Sequence, residues 1–98
     1  MGNSNFNQQV DRNLKGIELE KLGKIDNAKL LYEKNIEELT DTPHPYERLS
    51  LIYFKQGKYE DALKIIELFF KYAVQNQSIL DKLKKRKERI MRKLGKAK

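Results

Sequence analysis

The feature that most constrains this chain is an internal echo. Gly23-Lys24-Ile25-Asp26-Asn27-Ala28 returns as Gly57-Lys58-Tyr59-Glu60-Asp61-Ala62, with both glycines and both alanines 34 positions apart. The same register sets Gly16 against Ser50, Leu19 against Tyr53, Leu31 against Ile65 and Tyr32 against Ile66, small with small and apolar with apolar. Self-similarity at such a period marks supersecondary units that stack on one another. Each unit here reads as helix, glycine-centred turn, helix. Glycine supplies the left-handed backbone that ends the first helix. Asp26 in one unit, and Glu60 and Asp61 in the other, suit the positive start of the second helix. The alanine at a fixed offset lets the two helices approach closely.

Around that turn the second unit runs Tyr46-x2-Leu49-Ser50-x2-Tyr53 and then Ala62-x3-Ile66. The first runs Arg12-x2-Lys15-Gly16-x2-Leu19 and then Ala28-x3-Tyr32. The pattern resembles the tetratricopeptide repeat (aromatic, Leu-small, Tyr, Ala, large apolar) over about residues 10–76. Arg12 and Lys15 depart from it, as suits an N-terminal repeat with no earlier helix to pack against, or a displaced first helix. The family's closing proline is missing at Thr40 and Val74, and Pro43 and Pro45 break the chain nearby instead. The resemblance implies an all-α, TPR-like α-solenoid of two repeats closed by a fifth helix. The expected organisation is a single domain over 7–94, with repeats at about 9–42 and 43–76 and a cap helix at about 78–94. Flexible ends are expected at 1–6 and 95–98.

The periodicity predicts helices at about 7–22, 26–39, 45–56, 59–75 and 78–94. The first carries Val10, Leu14, Ile17 and Leu22 on one stripe, and the second presents Ala28, Leu31, Tyr32, Ile36 and Leu39. Pro43 and Pro45 stand at the start of the third, where a missing N–H does little harm. The fourth is apolar nearly all round, from Leu63 to Val74, and needs cover on several sides. The fifth offers Ile79, Leu80, Leu83, Ile90, Met91 and Leu94 at three- and four-residue steps. In the 34-residue register Leu80 and Leu83 take the places of Tyr46 and Leu49, so this helix reads as the first half of a third repeat.

Charge is concentrated in that fifth helix. The chain has a formal net charge of +7, but residues 1–78 carry 11 Lys/Arg against 12 Asp/Glu. Residues 79–98 carry 10 Lys/Arg against Asp81 and Glu88 alone. Solenoids need a polar terminal cap. Lys82, Lys84, Lys85, Arg86, Lys87, Arg89, Arg92 and Lys93 are therefore a solvating cap, a surface for an anionic partner, or both.

Little in the chain suggests catalysis or a cofactor. With no Cys and one His there is no thiolate nucleophile and no Cys- or His-rich metal site. Gly16, Gly23 and Gly57 are too far apart to cradle a phosphate. Ser4, Ser50 and Ser78 sit in no nucleophile motif, and the adjacent carboxylates Glu37-Glu38 and Glu60-Asp61 point apart on a helix. No apolar run approaches a membrane span, and the opening Met1-Gly2-Asn3-Ser4-Asn5-Phe6 lacks a signal-peptide layout. The expectation is a cytoplasmic, non-catalytic protein without cofactor, metal or membrane partner.

What is left is surface recognition. The resemblance implies a concave groove lined by the first helix of each pair. In this chain those positions are Asn13, Leu14, Ile17, Glu20 and Lys21, then Glu47, Arg48, Leu51, Phe54 and Lys55 with His44 at the edge, then Lys82, Lys85 and Arg89. The Lys/Asn clamp with which some family members hold a C-terminal carboxylate is not reproduced: Asn13 and Ile17 occupy two of its places in the first repeat, and only Arg48 and Lys82 are reminiscent of its basic members. An apolar strip with a basic edge suits an acidic or amphipathic peptide of a protein partner. Two alternatives stand beside this one. The fifth helix could touch nucleic acid weakly and without sequence preference, or an uncovered Phe69 or Phe70 could drive homodimerisation.

Overall fold

The computed structural model describes the backbone of residues 2–95 and the side chains of residues 6–95. Met1, the side chains of 2–5 and residues 96–98 lie outside the described residues, and with them the first residue and the last three of the ends expected to be flexible. Among the described residues there are five helices and no strand: α1 Gly2–Lys21, α2 Ile25–Glu37, α3 Pro43–Lys55, α4 Tyr59–Tyr72 and α5 Gln77–Lys93. The chain divides into two compact units, Met1–Thr40 and Asp41–Lys98. In the first, α1 packs on α2; in the second, α3 packs on α4, and α5 lies on both. This helix-pair pattern resembles the one that α-solenoids repeat. No described helix is long and apolar enough to cross a membrane.

The two turns are built alike, residue for residue, 34 positions apart. Gly23 and Gly57 take φ of +77° and +76°. Lys24 N donates to Leu19 O at 2.8 Å and Lys58 N to Tyr53 O at 2.9 Å; Gly23 N and Gly57 N each donate one turn back at 3.0 Å. This is the six-to-one and five-to-two bonding that satisfies the carbonyls of a helix end. A Cβ at either glycine would meet nothing within 4 Å, so the backbone angle, not space, demands glycine. Beyond each turn Ala28 and Ala62 are fully buried.

Their interiors differ. The stripe of Val10, Leu14 and Leu22 is not what α1 turns to α2; all three are exposed, as is Phe6. Gln9, Asn13 and Gly16 face inward instead. Asn35 is fully buried among them: its Nδ2 donates to Gln9 O at 2.9 Å and to Asn13 Oδ1 at 2.8 Å, and its Oδ1 accepts from Arg12 at 2.9 Å. Arg12 also pairs with Glu38 at 2.8 Å, and Gln9 donates to the same carboxylate at 3.1 Å. Those bonds, from Arg12 first and Gln9 second, hold the Glu38 carboxyl below its ordinary pKa. The Tyr32 ring lies against Gly16, its hydroxyl donating to Glu20 at 2.7 Å. Arg12, which departs from the repeat pattern, is thus a hydrogen-bonding residue of this hairpin. Leu39, expected on the buried face of α2, lies beyond the helix at φ +57°, is exposed, and ends it with Thr40 N donating to Asn35 O at 3.2 Å.

The second unit has a larger apolar interior, with Glu47, Ser50 and Arg86 as its buried polar residues. Tyr46, Leu49, Ile66, Phe69, Leu83 and Ile90 are fully buried. Tyr46 and Phe70 both meet Phe69 edge-on, at 6.2 and 5.4 Å. Burial, with Asp41 and Tyr72 adding to it, pushes the Tyr46 phenol up to about 12. Phe69 is therefore no uncovered dimerisation residue, and Phe70 lies half-buried beneath the Lys87 ammonium at 5.9 Å. α4 ends earlier than its hydrophobicity suggests because Ala73 turns extended (ψ 147°) and Val74 N donates to Asp41 O at 2.8 Å. Asn76 then caps α5, its Oδ1 accepting from Ile79 N at 3.1 Å.

Candidate functional site

Seven of the expected partner-binding residues belong to the second unit: Arg48, Leu51, Phe54 and Lys55 on α3, and Lys82, Lys85 and Arg89 on α5. One contact ties the two sets together. The Arg89 guanidinium stands 5.2 Å from the centroid of the Phe54 ring, within cation–π range. Phe54 also meets the Tyr59 ring edge-on, the centroids 5.6 Å apart. Leu51, one turn earlier, is half-buried, as is Arg48, whose guanidinium lies 3.7 Å from the Glu47 carboxylate. Lys55, Lys82 and Lys85 are exposed.

The remaining three lie on α1 of the first unit. Lys21 is exposed and Ile17 half-buried. Asn13, expected on the groove, is buried with its amide oxygen engaged by Asn35. Of their neighbours, Leu14 is exposed while Glu20 is held by Tyr32. His44 sits half-buried in the first turn of α3.

Two charged residues are placed quite otherwise than expected. Arg86, counted among the solvated cations, is buried and donates to Glu47 O at 2.9 Å, Ser50 Oγ at 2.9 Å and Glu47 Oε2 at 3.1 Å. Glu47, expected on the groove, is its buried partner. Burial pulls the Arg86 pKa down while Glu47 opposes it; an arginine stays charged through such a shift. The spacing carried a signal: Arg86 comes three residues after Leu83 and four before Ile90, within the apolar stripe.

With Arg86 removed from the surface set, the exposed cations of α5 are Lys82, Lys84, Lys85, Arg89, Arg92 and Lys93. Among the described residues, no carboxylate lies within the 4.0 Å ion-pairing distance of any of them. The first hairpin behaves differently, pairing Arg12 with Glu38, Lys15 with Glu18 and Lys34 with Glu37. Like charges at three- and four-residue steps weaken a helix by a few tenths of a kcal/mol per pair. α5 is kept helical by its buried face, and its exposed face carries these six cations against two carboxylates, Asp81 and Glu88. No group of three His, Cys, Asp or Glu able to hold a metal ion occurs among the described residues.

What fold and site define together is a class: a small all-α protein of helical hairpins with one strongly basic helix packed on the second hairpin. No family model matches the chain, and no similar protein of curated function or of solved structure is found.

Proposed function

We propose that this chain is a non-catalytic interaction module of the tetratricopeptide-repeat kind, holding a protein partner along α3 and the outer face of α5. The observation that carries this reading is the pairing of Arg89 with Phe54 beside half-buried Leu51 and the unpaired cations Lys82 and Lys85. Such a surface offers apolar contact area with a basic border, the complement of an acidic or amphipathic segment. The recurrence of the same turn 34 residues on, followed each time by a buried alanine, supports the kinship.

A pull-down at two salt concentrations, with and without nuclease, tests the role. The wild-type chain is expected to retain a protein partner after nuclease treatment, and the Arg48→Glu/Lys85→Glu double variant to lose it. Retention of every partner by the double variant overturns the placement on α3 and α5. Beads emptied by nuclease alone overturn the protein-partner reading in favour of nucleic acid.

A further inference from the structure

We infer that the partner segment is itself an α-helix whose carboxylates recur at three- and four-residue steps, laid alongside α5. This rests on the binding role proposed above and names its ligand. Lys82, Lys85, Arg89 and Arg92 follow one another at steps of three, four and three residues, so they form one row on α5. At the rise of an α-helix their Cα atoms stand at about 0, 4.5, 10.5 and 15 Å along the axis. A second helix packed side by side presents carboxylates of the same spacing over the same length. An extended strand puts same-side residues about 6.8 Å apart and so meets that row with three carboxylates instead of four. The acids of α5 border this row: Asp81, four residues before Lys85, accepts from Gln77 at 2.8 Å, and Glu88 stands three residues after Lys85, so the four cations outnumber the flanking carboxylates two to one.

The partner's neighbouring stripe is apolar by the same logic. Leu51 and Phe54 are one helical turn apart on α3, and Arg89 bridges from the row to Phe54. Nucleic acid fits less well. Binding of unpaired bases relies on free aromatic faces, and two rings beside α5 are each covered by one of its cations, Phe54 by Arg89 and Phe70 by Lys87.

Fluorescence anisotropy with the full chain tests the inference. The probes are a labelled helical peptide with Glu at i, i+3, i+7 and i+10 beside a leucine stripe, an isomer of identical composition with the glutamates spread around the helix, and a single-stranded and a duplex RNA of matched length. The patterned peptide is expected to bind about tenfold more tightly than its isomer, and Lys82→Glu/Lys85→Glu, both exposed, to abolish that preference while leaving the circular dichroism unchanged. Equal binding of the two peptides overturns the helical spacing but leaves the protein-binding role standing. Tighter binding of either RNA than of both peptides overturns the role as well.

Discussion

Arg86→Met is the most informative single change, because it separates the energetic worth of α5's buried arginine from its charge on the surface. The guanidinium makes three hydrogen bonds into α3, and its partner Glu47 is as buried as it is. Removing the arginine leaves a buried carboxylate with only the peripheral Arg48, 3.7 Å away, to balance it. Breaking one side of a buried pair costs about 3–5 kcal/mol. Against a total stability of roughly 5–15 kcal/mol for a chain of this size, that lowers the melting temperature by more than about 10 °C. The double variant Glu47→Leu/Arg86→Met removes both charges and refills the space, so its cost falls to about 1 kcal/mol or less. Urea denaturation followed by circular dichroism, run as a double-mutant cycle with Glu47→Leu as the other single variant, is expected to give a coupling of at least about 2 kcal/mol. Lys85→Met, on the exposed side of the same helix, is expected to stay within about 0.5 kcal/mol of wild type. A loss below about 1 kcal/mol for Arg86→Met, or a double variant as unstable as the sum of the singles, refutes the argument.

Three further outcomes are expected. Gly16→Ala destabilises despite alanine's helix preference, because the new Cβ would stand 2.6 Å from Tyr32 ring atoms that the hydroxyl bond to Glu20 holds in place; thermal melts should show a net loss of about 1–2 kcal/mol, and a gain would disprove the close approach. Asn35→Leu should cost about 2–4 kcal/mol in urea denaturation, since it removes the amide that bonds Asn13, the Gln9 carbonyl and Arg12 inside the hairpin, Arg12 keeping only Glu38; a neutral result would mean that water replaces the amide. Tyr46 carries a phenol raised to about 12, so the folded state holds its proton more tightly than the unfolded one. Its contribution is complete below about pH 10 and disappears as the pH climbs towards 12. Wild type should therefore lose roughly 2–3 kcal/mol more than Tyr46→Phe across that window, and parallel losses would refute the assignment.

The two turns were legible in the sequence because glycine at a left-handed position and alanine at a close approach leave few alternatives, and both recur at 34. Helix boundaries followed within a few residues, save at the start of α1, which begins at Gly2 where no apolar periodicity announces it. The inner face of α1 was not legible. Hydrophobic periodicity selects Val10, Leu14 and Leu22, yet these face water while Gln9 and Asn13 face α2. Polar residues that satisfy one another across a hairpin leave no period in hydropathy; only Gly16, required under Tyr32, hinted at the true orientation. The same limit hid Arg86 and Glu47, which composition counts as surface charge. Lys82, Lys85 and Arg89 are exposed as the sequence suggests, because exposure is where long cationic side chains ordinarily reside.

The unlike interiors of the two hairpins carry a dynamic consequence. Buried hydrogen bonds of the Gln9, Asn13 and Asn35 kind return only about 1 kcal/mol each over solvation by water. Each large apolar side chain of the Tyr46, Ile66 and Phe69 kind returns about 1.5–3 kcal/mol. Two hairpins with matching turns therefore open at different free energies, and residues 1–40 form the softer element. Amide protons of α1 and α2 should exchange ahead of those of α3 and α4. A protease offered the intact chain should nick the first hairpin first, leaving a trimmed fragment that keeps Asp41 onward.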